Sequence, residues 1–365
     1  MLRTSRGCSA MKEKIRFESH VQSSTFHNPL LDNRLVTQQL EIRKDPLTGK
    51  QSVFNPSIEG KAGFFGVSDQ ALLERLARES APKCFLCGDR WKELTPTYPE
   101  DLVPGGRVRV GESVLFPNLF PVSQVHAVLR VGSDHYVPLQ EFSTPLIEEA
   151  FLASITFIRL LFRAREGIRF LTVNGNYLAP AGASILHPHF QVLGSDIPYT
   201  HTGELMTLGR AYHAQHGSCY WVDLAEKERE LGLRFIARTG AVTWIAAFAP
   251  RGTNEVLGIL TEKRDFMEME DRDWAELSYG FSTVLEGFGA QGISTFNFTL
   301  YSGPLGARDD TFRCFLRVIS RQNVYENYRT DDYFLQKLLR NELILNPPEK
   351  LASTLRKCFE RRRGE

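Results

Sequence analysis

The stretch Gly182-Ala183-Ser184-Ile185-Leu186-His187-Pro188-His189-Phe190-Gln191 decides how the rest of the chain is read. If it is a strand, alternate residues share a face, so His187, His189 and Gln191 point the same way. Pro188 is tolerated in a sheet only at an edge or a strand start, which leaves that face open to a cleft. Three ring or amide side chains on one face are costly to bury unless a metal, a ligand or a hydrogen-bond network takes up their polar atoms. A lone histidine would be read as a satisfied core residue; this spacing points to chemistry instead.

Upstream lies Cys84-Phe85-Leu86-Cys87. A Cys-x-x-Cys pair can bite one tetrahedral metal, and two further ligands complete a structural zinc site. The chain has nine histidines, and His187 and His135, the latter in Ser133-Asp134-His135, are the choices for the other two. Such a site ties the N-terminal loop to the strand that presents His189. A pair of unliganded thiols is the plainer alternative, and a thioredoxin-like redox pair lacks its βαβ surroundings. The six cysteines (Cys8, Cys84, Cys87, Cys219, Cys314, Cys358) are too sparse for a disulfide framework.

Around this centre the pattern reads as α+β. Glu41 to Phe54 is a strand–turn–strand with Asp45-Pro46-Leu47-Thr48-Gly49 as the turn. Asp69 to Ser80 is a helix, residues 107–133 an antiparallel meander, and Pro145 to Glu166 a longer helix. "FLTVNGNY" and "HPHFQVLG" are strands flanking the loop Leu178 to Leu186. The second half repeats the order: a helical segment at Asp223 to Leu231, strands in "RFIARTGAVTWIAAFAP" and "EVLGILTEK", a helix at Asp271 to Phe288, then "TFNFTLYSG" and "TFRCFLRVIS". This suggests duplication, with two tandem lobes whose antiparallel sheets are flanked by helices. The expected division is an N-terminal extension at 1–40, a first lobe at 41–210 and a second at 211–365. "DYFLQKLLRNELI" has helical apolar spacing, and Arg356 to Arg363 reads as a solvated helix face or tail.

The net charge is +1, so no global field recruits nucleic acid or an anionic membrane, and phosphate-bearing ligands must be held by local groups. No apolar run approaches the roughly 20 residues that span a bilayer. The basic stretch Met1 to Arg16 has no apolar core, so it is expected to be a loose tail, or to precede a true start at Met11, rather than a secretory signal, with a mitochondrial transit peptide as the weaker alternative. The expected location is the cytoplasm.

These pieces carry a resemblance. "RKDPLTG" (43–49), "CFLC" (84–87), "FPNLFP" (116–121), Asp134-His135 and "NYLAPAGASILHPHFQ" (176–191) resemble the galactose-1-phosphate uridylyltransferases and their relatives in the histidine-triad superfamily. The resemblance implies that His189 is a nucleophile attacking the α-phosphorus of a nucleoside diphosphate sugar. It implies that Gln191 hydrogen-bonds the phosphoryl oxygens, and that Cys84, Cys87, His135 and His187 hold Zn2+. Asn118, Asn176 and Ser184 match positions that contact the nucleotide or its phosphates, and a homodimer is implied as well. The expected reaction passes a nucleoside monophosphate to a sugar 1-phosphate. Phosphate or water as acceptor would make the chain a phosphorylase or hydrolase of nucleoside diphosphate sugars or dinucleoside polyphosphates, and a zinc-stabilised nucleotide-binding protein without turnover is a third reading. Neutral imidazole suits the nucleophile's role, its reference pKa being about 6.5.

The pattern also departs from the family. No histidine follows His216, Tyr301 and "FRCF" (312–315) stand where a second metal site would sit, and "SRQNVYENYRTDDYF" lacks the usual sugar-recognition signature. The early arginines are missing, since the chain reads "NPSIEGK" after the first turn. His126 and His201 lie near the motif without an assigned role.

Overall fold

A computed structural model describes residues 14–59, 67–164, 167–326 and 330–364. The expectations for the basic stretch before residue 14 lie outside them. A long hairpin comes first: β1 (Glu18–Asn28) pairs antiparallel along its whole length with β2 (Arg34–Lys44). β2 then turns into β3 (Gln51–Phe54), and the Asp45 carboxylate caps the turn by accepting from the Leu47 and Thr48 amides. The sequence exposes that turn but not β1, because β1 is exposed along nearly all its length and carries no apolar alternation. Three helices follow: α1 (Pro56–Glu59), α2 (Gln70–Ser80) and α3 (Arg90–Leu94). Asp69 caps α2 by accepting from the Leu72 amide.

The first lobe contains β4 (Val108–Val110), β5 (Ser113–Pro117), β6 (Val125–Arg130), the helix α4 (Thr144–Ala164), β7 (Phe170–Tyr177) and β8 (His189–Ser195). Two helices, α5 (Thr200–His216) and α6 (Tyr220–Leu231), lead to the second lobe. There the order recurs as β9 (Phe235–Thr239), β10 (Val242–Ala246), β11 (Val256–Leu260), α7 (Asp271–Ala290), β12 (Phe296–Tyr301) and β13 (Phe315–Ser320). The lobes are not separate sheets. They share one ten-stranded sheet in the order β4-β5-β6-β8-β7-β12-β13-β11-β10-β9, which is the same arrangement read outward from the β7–β12 seam in both directions. Gly175 in β7 makes the seam possible, since a Cβ there would lie 2.3 Å from the Phe298 ring. Phe298 packs edge-on against Phe190 at 4.7 Å, and Phe151 of α4 stacks on Phe281 of α7, so both lobes contribute to one aromatic core on this face of the sheet.

Three expectations change. β8 begins at His189 rather than at His187, because Pro188 has no amide to donate; the Pro188 carbonyl still accepts from Val131 at 2.9 Å. "DYFLQKLLRNELI" forms only the short helix α8 (Phe334–Lys337) before β14 (Glu342–Ile344), which adds in parallel to β3. The arginine-rich end lies in α9 (Pro348–Gly364), which buries Leu351, Leu355 and Phe359. Arg362 there is not simply solvated, since it donates to Ser282 and Thr283 of α7. No helix among the described residues is long and apolar enough to cross a membrane.

Candidate active site and metal centre

β6 and β8 are neighbours in the sheet, so the segments beyond one end of each come together there. His135 follows β6 and His187 precedes β8. The Cys84–Cys87 turn, closed by the Cys87 amide donating to the Cys84 carbonyl, meets them. The ligand atoms of Cys84, Cys87, His135 and His187 all lie within 4.8 Å of one another. Cys87 Sγ is 3.2 Å from His135 Nδ1 and 3.4 Å from His187 Nδ1. With zinc–sulfur and zinc–nitrogen bonds of about 2.3 and 2.0–2.1 Å, the sulfur–nitrogen edge of a tetrahedron is about 3.6 Å.

The rings are also set in the tautomer that a metal needs. His135 Nε2 lies 2.7 Å from the Ser80 hydroxyl, whose own proton goes to the Leu76 carbonyl, so His135 donates from Nε2 and leaves Nδ1 with its lone pair. His187 Nε2 faces the Gly132 carbonyl at 3.4 Å, which leaves its Nδ1 free in the same way. Burial holds His187 neutral, with a pKa lowered to about 3, and burial likewise lowers that of His135. Burial, with Cys84 beside it, pushes the Cys87 thiol up to about 11. A bound cation would favour the Cys87 thiolate despite that burial. The four residues therefore fit a metal ion.

His189 opens β8 and is buried. Its Nδ1 lies 2.9 Å from the His187 carbonyl oxygen, an acceptor only, so Nδ1 carries the proton and Nε2 keeps its lone pair. Burial lowers its pKa, which favours the neutral ring. Two residues on, Gln191 shares the face of His189. His187 stands outside the strand and turns into the cysteine–histidine cluster.

The amide of Gln191 is oriented by a residue that sequence reading passed over. His126 Nδ1 accepts from the Val122 amide at 3.2 Å, so its proton sits on Nε2 and goes to Gln191 Oε1 at 2.7 Å. The Gln191 NH2 is thereby left as a donor for a ligand. Asn118 joins this group: its Oδ1 accepts from the Phe120 amide, and its Nδ2 lies 3.1 Å from His126 Nε2. Asn176 sits across the seam from Asn297, whose Nδ2 donates to Asn176 Oδ1 at 2.7 Å. Asn174, also missed, pairs with Gln191 and accepts from Thr299. Ser184 is exposed in the loop before β8, and none of the described residues hydrogen-bonds its hydroxyl. No local pattern flags His126, because its partner lies in another strand. Beside Asn118 and His126 opens a cavity of about 550 Å³, walled by Tyr98, Leu102, Pro117 and Ile168.

No protein-family model matches the chain. An uncharacterized protein of Archaeoglobus fulgidus is 30% identical over 333 residues, which cover 90% of this chain and 96% of that protein. Among solved structures the chain is similar to an ADP-glucose phosphorylase from Arabidopsis thaliana with bound ADP-glucose (TM-score 0.68, 18% identity, 87% of this chain and 98% of that one). It is also similar to a GalT-like protein from the same plant (TM-score 0.66, 17% identity, 87% and 98%) and to a uridylyltransferase (TM-score 0.63, 18% identity, 88% and 98%).

Proposed function

The chain belongs to one family with the Archaeoglobus fulgidus protein and has the uridylyltransferase fold, and from that premise we propose that it is a zinc-containing nucleotidyltransferase working through a covalent nucleotidyl-histidine. The observation that carries this reading is the bond from His189 Nδ1 to the His187 carbonyl, which leaves the Nε2 lone pair as the reactive atom. Nε2 attacks the α-phosphorus of a nucleoside diphosphate sugar. The N–P bond forms as the bridging P–O bond breaks, and that electron pair leaves with the sugar 1-phosphate. The ring then carries positive charge, which the Nδ1–H bond to the carbonyl stabilises. In the second half an acceptor phosphate oxygen attacks the same phosphorus and the N–P electrons return to the ring, a double displacement with ping-pong kinetics. Gln191, held by His126, donates to the phosphoryl oxygens where charge builds up. The cavity beside Asn118 has the size and apolar walls for a nucleoside.

Zinc, held by Cys84, Cys87, His135 and His187, supplies structure, fixing the turn whose carbonyl orients His189. Asn176 and Ser184 complete the nucleotide contacts in this reading, and a cytoplasmic homodimer acting on soluble metabolites belongs to it. Inorganic phosphate as acceptor is the second reading. It is favoured by the missing sugar-recognition signature and by the fold likeness to an ADP-glucose phosphorylase.

Intact-protein mass spectrometry after brief incubation with UDP-glucose, UDP-galactose, ADP-glucose or GDP-mannose, without acceptor, tests the proposal. A gain of one nucleoside monophosphate that is absent in His189→Ala is the expected result, and it names the base. Neither adduct nor released monophosphate across a wider donor panel would move the chain to the binding-protein reading.

A further inference from the structure

The palindromic strand order makes each position of the first lobe's site answerable to one in the second. Gln191 faces Val128 in β6 and Asn174 in β7. Arg317 faces Leu257 in β11 and Thr299 in β12, so it occupies the place of Gln191, and Phe315 that of His189. The supporting contacts repeat as well, a hydrogen bond in the first lobe and an ion pair in the second. Gln191 is held by His126, two residues before Val128, and Arg317 by Glu255, two residues before Leu257, at 2.7 Å. Arg251 lies in the β10–β11 connection, as Asn118 lies in the β5–β6 connection.

We infer that the second lobe carries its own site for the phosphoryl group of a small molecule, which it binds without reacting. A cavity of about 240 Å³ opens at this position, lined by His201, Asn297, Thr299, Tyr301, Arg251 and Arg317. His201 and Arg251 also line an adjoining cavity of about 450 Å³ that reaches Lys50 and Arg340. The charges do not cancel. Glu255 neutralises Arg317, Glu204 pairs with Lys50 at 2.9 Å, and Arg340 and Glu342 in the larger cavity offset one another. Arg251 has no side-chain ion pair with a carboxylate among the described residues; its guanidinium meets only His201. His201 donates from Nδ1 to Glu204 at 2.8 Å, while Arg317 also donates to its Nε2 at 3.1 Å. The ring is therefore a neutral acceptor between two arginines and supplies no counter-charge.

One guanidinium is left over in a recessed pocket, a setting in which a phosphoryl oxyanion is the matching ligand and the planar fork gives directional bonds. The position equivalent to His189 offers it no nucleophile, and both ring nitrogens of His201 are already engaged. Phe315 is stacked between Tyr301 (centroids 4.6 Å apart) and Trp221 (4.0 Å), so the position equivalent to His189 is closed by aromatic rings. Two strands separate Gln191 from Arg317, about 14 Å at ordinary strand spacing, so this is a second site and not an extension of the first.

The test is calorimetric titration of inorganic phosphate, and separately of glucose 1-phosphate, into the full chain carrying His189→Ala and Gln191→Ala, with and without Arg251→Gln. The proposal expects one binding event that survives the first two substitutions and weakens at least tenfold on adding Arg251→Gln, with partial recovery in Arg251→Lys. Binding of inorganic phosphate would identify the free anion as sufficient, whereas binding of glucose 1-phosphate alone would show that an ester is required. Unchanged affinity in an Arg251→Gln chain of normal melting temperature would overturn the proposal. Absence of binding by either probe once His189 and Gln191 are replaced would do the same. Neither result depends on whether His189 forms an adduct.

Discussion

The turn that carries His187 and the turn that carries Arg313 are the same joint, fastened in two ways. In the first lobe the Val131 amide donates to the Pro188 carbonyl at 2.9 Å; in the second the Leu260 amide donates to the Cys314 carbonyl at 3.0 Å. The residue before that carbonyl reaches back to the end of the neighbouring strand in both cases. His187 Nε2 meets the Gly132 carbonyl, and Arg313 Nε donates to the Thr261 carbonyl at 2.8 Å. Beyond this the joints part. His187 turns its other nitrogen into the cysteine–histidine cluster, whereas Arg313 closes on the Asp310 and Phe312 carbonyls at 3.0 and 2.7 Å. The arginine staples its turn with main-chain carbonyls alone, while the histidine meets a remote loop at a cluster that could hold a metal. That remote contact accompanies the one turn whose carbonyl orients the proposed nucleophile.

The comparison can be broken most severely at His189. His189→Ala should lower kcat by at least about 10³-fold while zinc content and circular dichroism stay as in the parent. A loss of zinc in that variant would mean that His187 and His189 have exchanged roles. Next in size is the metal. Cys84→Ser should bring bound zinc well below one per chain and cost several kcal/mol, seen as a melting temperature lower by more than about 5 °C. Full zinc with unchanged melting would remove Cys84 from the ligand set. The arginine staple should matter less: Arg313→Met loses charged hydrogen bonds worth about 2–3 kcal/mol and leaves zinc content untouched. If zinc fell with it, the two joints would not be independent. The smallest expected effect is at His126. His126→Leu frees the Gln191 amide to rotate, so kcat should fall about tenfold while the donor KM hardly moves. An equal change in both would assign His126 to binding alone.

What the sequence makes legible follows from which interactions are local or type-specific. The Cys-x-x-Cys pair and His187-Pro-His189-Phe-Gln191 stand out because metal ligation and imidazole chemistry admit few residue types. The repeated strand and helix order is visible because β10 and β11 are fully buried and α4 and α7 alternate apolar faces. The β1–β2 hairpin is silent because neither of its faces enters the main core. α5 is missed for a related reason, since it buries only Thr202, Leu205, Met206 and Gly209. His126, Glu255 and Arg251 gain meaning only from partners in other elements, which no spacing rule can supply. Pro188 misleads in the other direction, making a strand of three aligned polar residues out of what is a ligand turn followed by a strand.

The central claim is that Nε2 of His189 becomes covalently nucleotidylated while the equivalent place in the second lobe stays inert. Tandem mass spectrometry of the chain digested at alkaline pH after incubation with a reactive donor tests it directly, because a phosphoramidate survives alkali and is lost in acid. The account predicts a single nucleoside monophosphate adduct, confined to the peptide bearing His189. An acid-stable adduct, or one on any peptide after residue 216, would contradict it.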